Sequence, residues 1–171
     1  NHYYILNAKN YGLPQNRPRI YIVGFKHDYE FHFPSPLDTI PKLKSILEED
    51  VDEKYYISQE YLEGLKKHKL RHKNKGHGFG YHVLDPDGVA YTLVLGGMGK
   101  ERNLIRDKIP ENCYQGQGDD LRKKNNEGIR KLTEREFARL QGFPDNFKIP
   151  VSMTRAYRQF ANSVPIPVVT A

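Results

Sequence analysis

Apolar residues fall in short bursts along this chain, separated by polar stretches and punctuated by glycine and proline, so the pattern predicts short elements. Tyr3-Tyr4-Ile5-Leu6 and Ile20-Tyr21-Ile22-Val23-Gly24-Phe25 are aromatic and β-branched runs that predict two strands. The second run does not alternate, which predicts burial on both of its faces. Gly12, Pro14 and Pro18 keep the connection between them out of helix. A lone hairpin is marginal in water, so such a pair suits the edge of a larger sheet with partners the chain does not obviously supply.

Further along, His32-Phe33-Pro34-Ser35-Pro36 reads as an extended linker. Ile40 to Glu48 can form a short helix with Ile40, Leu43 and Leu47 on one face. Ser58 is placed to cap a helix running through Lys69, with Leu62 and Leu65 turned inward. Tyr81-His82-Val83-Leu84 and Val89-Ala90-Tyr91-Thr92-Leu93-Val94-Leu95 predict strands around an Asp85-Pro86-Asp87-Gly88 turn. From about Asp107 to Gly128 the chain is polar and without pattern, which predicts a surface loop. Thr133-x-x-Glu136 is a capping box opening a helix with Phe137 and Leu140 inward and Gly142 at its end, and Pro144 confirms the stop. Pro165 and Pro167 suit the first turn of a last helix, cut short where the chain ends.

A net charge of +6 and a pI near 9.3 are compatible with a polyanionic partner such as nucleic acid, and equally with a generic basic protein. The one cysteine, Cys113, excludes an internal disulfide and fits a reducing, cytoplasmic setting. Its surroundings, Asn112-Cys113-Tyr114, offer no activating group, so it reads as inert. No apolar run approaches the ~20 residues of a membrane span. The chain opens on Asn1-His2 and passes straight into a strand-like run, which reads as the cut start of a fragment.

Candidate chemistry sits in four places. Arg17 and Arg19, two apart at the mouth of a strand, point the same way in extended geometry and suit a planar acceptor such as a base carbonyl or a phosphate. On spacing alone the reading as ordinary strand-edge surface arginines is favoured. Lys66, Lys67, His68, Lys69, Arg71, His72, Lys73 and Lys75 form a basic run, either a phosphate-contacting surface or a solvated helix face. The glycine-rich Gly76-His77-Gly78-Phe79-Gly80-Tyr81 that follows is either a loop able to approach a groove closely or a flexible turn. Asn162 and Ser163, ahead of the proline-started helix, could bind a polar ligand or simply cap. His68 and His72 share a helix face, but no third metal ligand is apparent.

Three stretches carry a resemblance. Gln15-Asn16-Arg17-Pro18-Arg19 resembles the Gln-x-Arg-x-Arg motif of bacterial DNA cytosine-5 methyltransferases of the restriction-modification type. Arg130-Lys131-Leu132-Thr133-Glu134-Arg135-Glu136-Phe137-Ala138-Arg139-Leu140-Gln141-Gly142-Phe143-Pro144-Asp145 resembles the penultimate motif of that family. Ala156-Tyr157-Arg158-Gln159-Phe160-Ala161-Asn162-Ser163-Val164 resembles its closing Gln-Phe-Gly-Asn-Ser-Val motif, departing from it at Ala161. If the backbone there needs positive φ, that extra methyl crowds the turn.

The resemblance implies the C-terminal portion of such an enzyme, an α/β fold of α+β fragment character. Residues 1–36 would be edge strands of a Rossmann-like methyltransferase domain. Residues 37–128 would form a small, irregular, β-rich target-recognition domain, and 129–171 a closing segment that returns to the catalytic domain. It implies Arg19 on the carbonyl oxygen of a flipped cytosine, with Arg17 and Gln15 serving the same catalytic pocket, and Asn162, Ser163 and Val164 on S-adenosylmethionine. Thr92 would hold a phosphate beside the flipped nucleotide, followed by Gly96 and Gly97. Lys66, Lys69, Arg71, Lys73, Lys75, His77, Phe79 and Tyr81 would meet double-stranded DNA. Arg130, Arg135, Glu136 and Arg139 read as bracing residues.

No Pro-Cys-Gln nucleophile, Glu-Asn-Val acid or glycine-rich adenosylmethionine loop occurs in the sequence. The chain alone is therefore expected to be inactive and to need the N-terminal catalytic half. A non-catalytic specificity subunit of a split methyltransferase is the alternative, and a degenerate DNA-binding module a third.

Overall fold

The computed structural model describes residues 1–78, 80–94, 100–109 and 124–171. Strand β1 (His2–Asn7) pairs antiparallel with β3 (Pro18–Val23), in a register that sets Tyr3 opposite Ile22 and Ile5 opposite Ile20. Those four residues share one face. They are 74%, 70%, 65% and 59% exposed in that order, so the expected burial of the second strand on both faces does not hold. The opposite face is covered at its Leu6 end, where Leu6 is buried with Ala8, Tyr11, Leu13 and Val168 and Phe33 packs alongside, while Tyr4 on that face stays exposed. Non-alternating apolar sequence marks two faces able to be buried, and the described residues cover part of one of them.

Asn7 ends β1 and caps the 3-10 turn that follows, and Gly12 turns the chain with φ +85°. A two-residue strand β2 (Gln15–Asn16) then pairs in parallel with β4 (Ala90–Tyr91). The expected hairpin between 81–84 and 89–95 therefore does not form. The turn itself exists, closed by the Gly88 amide on the Asp85 carbonyl at 2.9 Å, but it delivers residues 90–91 to β2. Residues 82–84 instead run beside 101–104, bridging at Val83 and Leu104.

The expected helix over 40–48 is only a 3-10 turn at Leu43–Ile46, with Leu43 and Ile46 buried and Ile40 exposed. Pro41 has no amide to donate and disfavours helix at Ile40 before it, so a longer helix cannot start there. Helix α1 (Gln59–Asn74) begins as expected at Ser58, whose hydroxyl accepts from the Tyr61 amide, and runs five residues beyond Lys69. Leu62 and Leu65 are its buried residues. They pack with Ile57, Leu104 and Ile129 against an antiparallel pair that the polar surroundings concealed, β5 (Leu104–Arg106) and β6 (Ile129–Lys131). Gly128 makes that pair possible: at φ +67°, a Cβ there would lie 2.1 Å from the Asp107 carbonyl oxygen. Most of the expected 107–128 loop, with Cys113, lies outside the described residues.

Helix α2 (Glu134–Leu140) carries the full reciprocal capping box of Thr133 and Glu136. It closes on Gln141 and a left-handed Gly142, with the Gly142 amide on Arg139 O and the Phe143 amide on Ala138 O, a Schellman arrangement. Helix α3 (Met153–Asn162) packs on it, with the Phe137 and Tyr157 rings 4.6 Å apart. Met153, Ala156, Tyr157, Phe160 and Ala161 have helical spacing, a signal present in the sequence but absorbed there into a motif. Ala161 sits inside α3, with negative φ and 5% exposed, so the anticipated crowding of a left-handed turn does not arise. Helix α4 (Ile166–Thr170) follows, and its Ile166 amide bonds the Gln141 carbonyl at 2.9 Å.

Candidate functional site

Residues 14–17 are stitched to residues 90–93. The Ala90 amide donates to Pro14 O at 2.8 Å, and the Thr92 hydroxyl donates to Asn16 O at 2.7 Å. Gln15, 0% exposed, uses both ends of its amide: Nε2 donates to Leu140 O at 2.7 Å and Oε1 accepts from the Leu93 amide at 3.1 Å. Asn7, which sequence reasoning overlooked, adds a second stitch. Its Oδ1 accepts from the Arg17 amide at 2.9 Å and its Nδ2 donates to Asn16 Oδ1 at 2.7 Å.

Arg17 and Arg19 do not point the same way. The strand breaks between Asn16 and Pro18, so the two-residue alternation is lost at Arg17. Arg17 is 6% exposed, and its fork spans Leu93 O at 3.1 Å, Ala161 O at 2.9 Å and Ser163 O at 3.1 Å. Burial, and then the neighbouring charge of Arg19, holds this guanidinium below its ordinary pKa. Two of its three acceptors lie at the C-terminal end of α3, where the helix dipole favours a cation. Arg19 is exposed, and its one hydrogen bond among the described residues runs from Nη1 to the carbonyl of adjacent Pro18. Of the three side chains expected in a pocket, Gln15 and Arg17 are consumed by the scaffold and Arg19 is left with donors to spare.

At the α3 end, Asn162 is exposed, makes no side-chain hydrogen bond among the described residues, and stands beside a half-exposed Val164. The Ser163 hydroxyl is turned back onto Phe160 O at 2.7 Å. This turn lies directly over the Arg17 fork, so the first and last motifs meet there, with Thr92-Leu93 between them.

The charged side chains of the penultimate motif tie α2 to the β5–β6 pair. Arg130 and Glu136, both 0% exposed, form a two-pronged pair at 2.8 and 2.9 Å. Arg130 Nε reaches Asp107 at 2.7 Å. Burial works against that guanidinium, but the bonds to Glu136 and Asp107 outweigh it and raise its pKa. Glu136 also accepts from the Thr133 and Glu48 amides. On the outside, Arg139 grips Asp145, and Arg135 donates to Pro144 O and Phe147 O.

The basic helix is less uniform than its sequence. Lys66 is committed to Glu127 and Glu63, which raise its pKa, and Lys69 donates to Tyr81 O with its ammonium over the Tyr81 ring. Arg71, Lys73, Lys75 and His77 are exposed at the C-terminal end of α1 and just beyond it. A ring contact that the sequence did not announce lies beside Thr92: the His82 and Tyr91 rings are tilted with centroids 5.1 Å apart, and Arg102 caps the Tyr91 ring at 5.6 Å. Asn103, buried, holds Tyr91 from both backbone sides. Phe79, Gly96 and Gly97 lie outside the described residues. No group of three metal-ligating side chains occurs among the described residues, and no described helix is long and apolar enough to cross a membrane.

Residues 1–171 match the profile of the family described as "C-5 cytosine-specific DNA methylase". Over 176 aligned residues the chain is 51% identical to the type II methyltransferase M.HpaII of Haemophilus parainfluenzae, covering 98% of this chain and 48% of that protein. It is 41% identical to the type II methyltransferase M.NlaX of Neisseria lactamica, covering 98% and 49%. In three dimensions it resembles the Entamoeba histolytica methyltransferase EhMeth, with TM-score 0.68, 19% identity, and coverage of 98% of this chain and 50% of that one. The Dnmt2 methyltransferase of S. pombe gives TM-score 0.63 at 20% identity, over 98% and 54%. The chain thus spans about half the length of the relatives it matches.

Proposed function

The chain belongs to the C-5 cytosine-specific DNA methylase family, and we propose that it is the C-terminal portion of a type II enzyme that methylates carbon-5 of a flipped cytosine in duplex DNA. The observation that carries this reading is the junction: three segments far apart in sequence meet at residues 15–17, 92–93 and 161–163. The bare apolar face of Tyr3, Ile5, Ile20 and Ile22 supports it, being suited to the interior of a longer methyltransferase sheet and poorly suited to water.

In this reading Arg19, the exposed arginine of the first motif, reaches the cytosine carbonyl oxygen and stabilises electron density pushed into the ring as a nucleophile adds. Gln15 and Arg17 hold the strand that presents it. Thr92 contacts the phosphate beside the flipped nucleotide, and Gly96 and Gly97, which follow it in the sequence, are assigned to the same DNA contact. Arg71, Lys73, Lys75 and His77 meet backbone phosphates, joined by Lys66 and Lys69 to the extent that their internal partners release them, and Phe79 and Tyr81 are assigned to the same DNA contact.

The exposed Asn162 amide and the apolar Val164, with Ser163 between them, fit one wall of an S-adenosylmethionine site. That cofactor supplies the methyl group on a sulfonium. The nucleophile belongs to another segment, since Cys113 in Asn112-Cys113-Tyr114 lacks the family's Pro-Cys-Gln context.

The test is methyl transfer from labelled S-adenosylmethionine to duplex DNA. The chain alone should give none, and supplying a family N-terminal half should restore it. Arg19→Ala should then lower kcat by about 10²–10³, the cost of removing one oxyanion-type donor. Robust transfer by the isolated chain overturns the reading.

A further inference from the structure

Resting on that reading, we propose that Arg17 is a positioning residue that couples the duplex-contacting segment Thr92-Leu93 to the Asn162-Ser163 turn, so that DNA engaging one is felt at the other. The sequence motif presents Arg17 as a partner of Arg19, but the structure separates them. Arg17 has left the surface and spans two regions 76 and 144 positions away in the chain. Its acceptors are main-chain carbonyls of Leu93, Ala161 and Ser163, and all three hang on one planar guanidinium. A planar fork cannot follow one acceptor without tilting away from the others, whereas a single ammonium on a flexible stem would hold fewer of them and carry no such tilt between them.

Both ends of this link sit beside a side chain the reading gives to a ligand. Leu93 follows Thr92, and Ser163 follows Asn162. The Thr92 hydroxyl is itself bonded to Asn16, the residue before Arg17, so a phosphate that draws the hydroxyl away releases the chain at the base of the fork.

The junction also retains unused bonding capacity. Arg17 Nε and Gln141 Oε1 are buried without a partner. Gln141 belongs to the same helix end, donating from Nε2 to Phe160 O at 2.7 Å and accepting the Ile166 amide on its own carbonyl. A spare donor and a spare acceptor around one helix terminus give the turn a second hydrogen-bonding arrangement to move into. Two arrangements, each biased by a different ligand, are the physical requirement for coupling.

The experiment is amide chemical-shift mapping of the chain titrated with a short cytosine-containing duplex. In the unaltered chain, Ser163 and Val164 should shift together with Thr92 and Leu93, at the same midpoint. In Arg17→Lys, Thr92 and Leu93 should still respond, while the response at Ser163 and Val164 falls to about a third or less, the loss of a modest coupling. A purely structural Arg17 would lower the melting temperature and leave the joint response intact. Shifts at Thr92 and along Arg71 to Lys75 with none at Ser163 and Val164 in the unaltered chain overturn the coupling while leaving DNA binding standing. Equal transmission in Arg17→Lys overturns the role of Arg17. The absence of any shift overturns the DNA-binding reading and this proposal together. Should Arg17→Lys fail to fold, the unaltered chain still decides through its own joint or separate response.

Discussion

Arg130 and Arg17 are both withdrawn from solvent, at 0% and 6% exposure, yet their charges are met in different ways. Around Arg130 the chain places two carboxylates, Glu136 and Asp107, and the capping box of α2 fixes Glu136 in turn. Around Arg17 it places three carbonyls and, among the described residues, no carboxylate. The first is a closed knot, neutralised and with its pKa raised. The second is a net positive charge held by dipoles, its pKa lowered by burial. Carboxylate partners make a lock, because separating the pair strands a charge in a low-dielectric interior. Carbonyl partners make a joint, because each bond is weaker and can be exchanged for another. The lock lies between α2 and the β5–β6 pair, and the joint lies where the first and last motifs meet at Thr92-Leu93.

The sharpest way to break this contrast is at the lock. Arg130→Met leaves Glu136 buried and unpaired, and the expected loss is about 3–5 kcal/mol, read as a lower urea midpoint with an unchanged slope. A loss under about 1 kcal/mol would be that of a surface pair, and the knot would then not be closed. Arg17→Lys, in which a single ammonium cannot span three carbonyls, should cost less, about 1–3 kcal/mol by the same measurement. A loss as large as that of Arg130→Met would make the two arginines equivalent.

Ala161→Gly, which installs the residue usual in the family, tests the acceptor side of the joint. Because Ala161 is helical and buried, the change should destabilise by about 1 kcal/mol; a gain would mean that the position wants a left-handed backbone.

The smallest effect belongs to the exposed pair Arg139–Asp145. Arg139 holds the Asp145 carboxyl below its usual range, first through its hydrogen bonds. The folded value is therefore the lower one, so the stabilisation is complete above about pH 4, the ordinary range of an aspartate. It is lost as pH falls through the folded value. Asp145→Asn should flatten the acid limb of a stability–pH profile slightly, and an unchanged limb would place the pair outside the bracing.

Much of the local structure was legible. Ser58 and Thr133 announced their helices because a cap is a short-range transaction between a side chain and amides two or three residues on. Leu62, Leu65, Phe137 and Leu140 announced their inward faces by spacing. The β5–β6 pair was missed because it is three residues long on each side and its turn chemistry, with Asn125 buried and bonding Ile57 and Ile129, looks polar in sequence. The 81–84 and 89–95 hairpin was expected from an intact turn, yet residues 90–91 pair with β2 instead. A turn fixes the direction of the chain and leaves the choice of strand partner to the rest of the fold.

By itself, the sequence determined which residue types gather in which motif, where α1 and α2 begin, and that Arg17 and Arg19 belong together as a signature. Tertiary structure alone decided that they part, one drawn under the α3 terminus and the other left at the surface. Spacing along an extended chain encodes direction only while the strand stays regular. Whether a guanidinium is buried or free depends on carbonyls 76 and 144 positions away, which no local pattern can report.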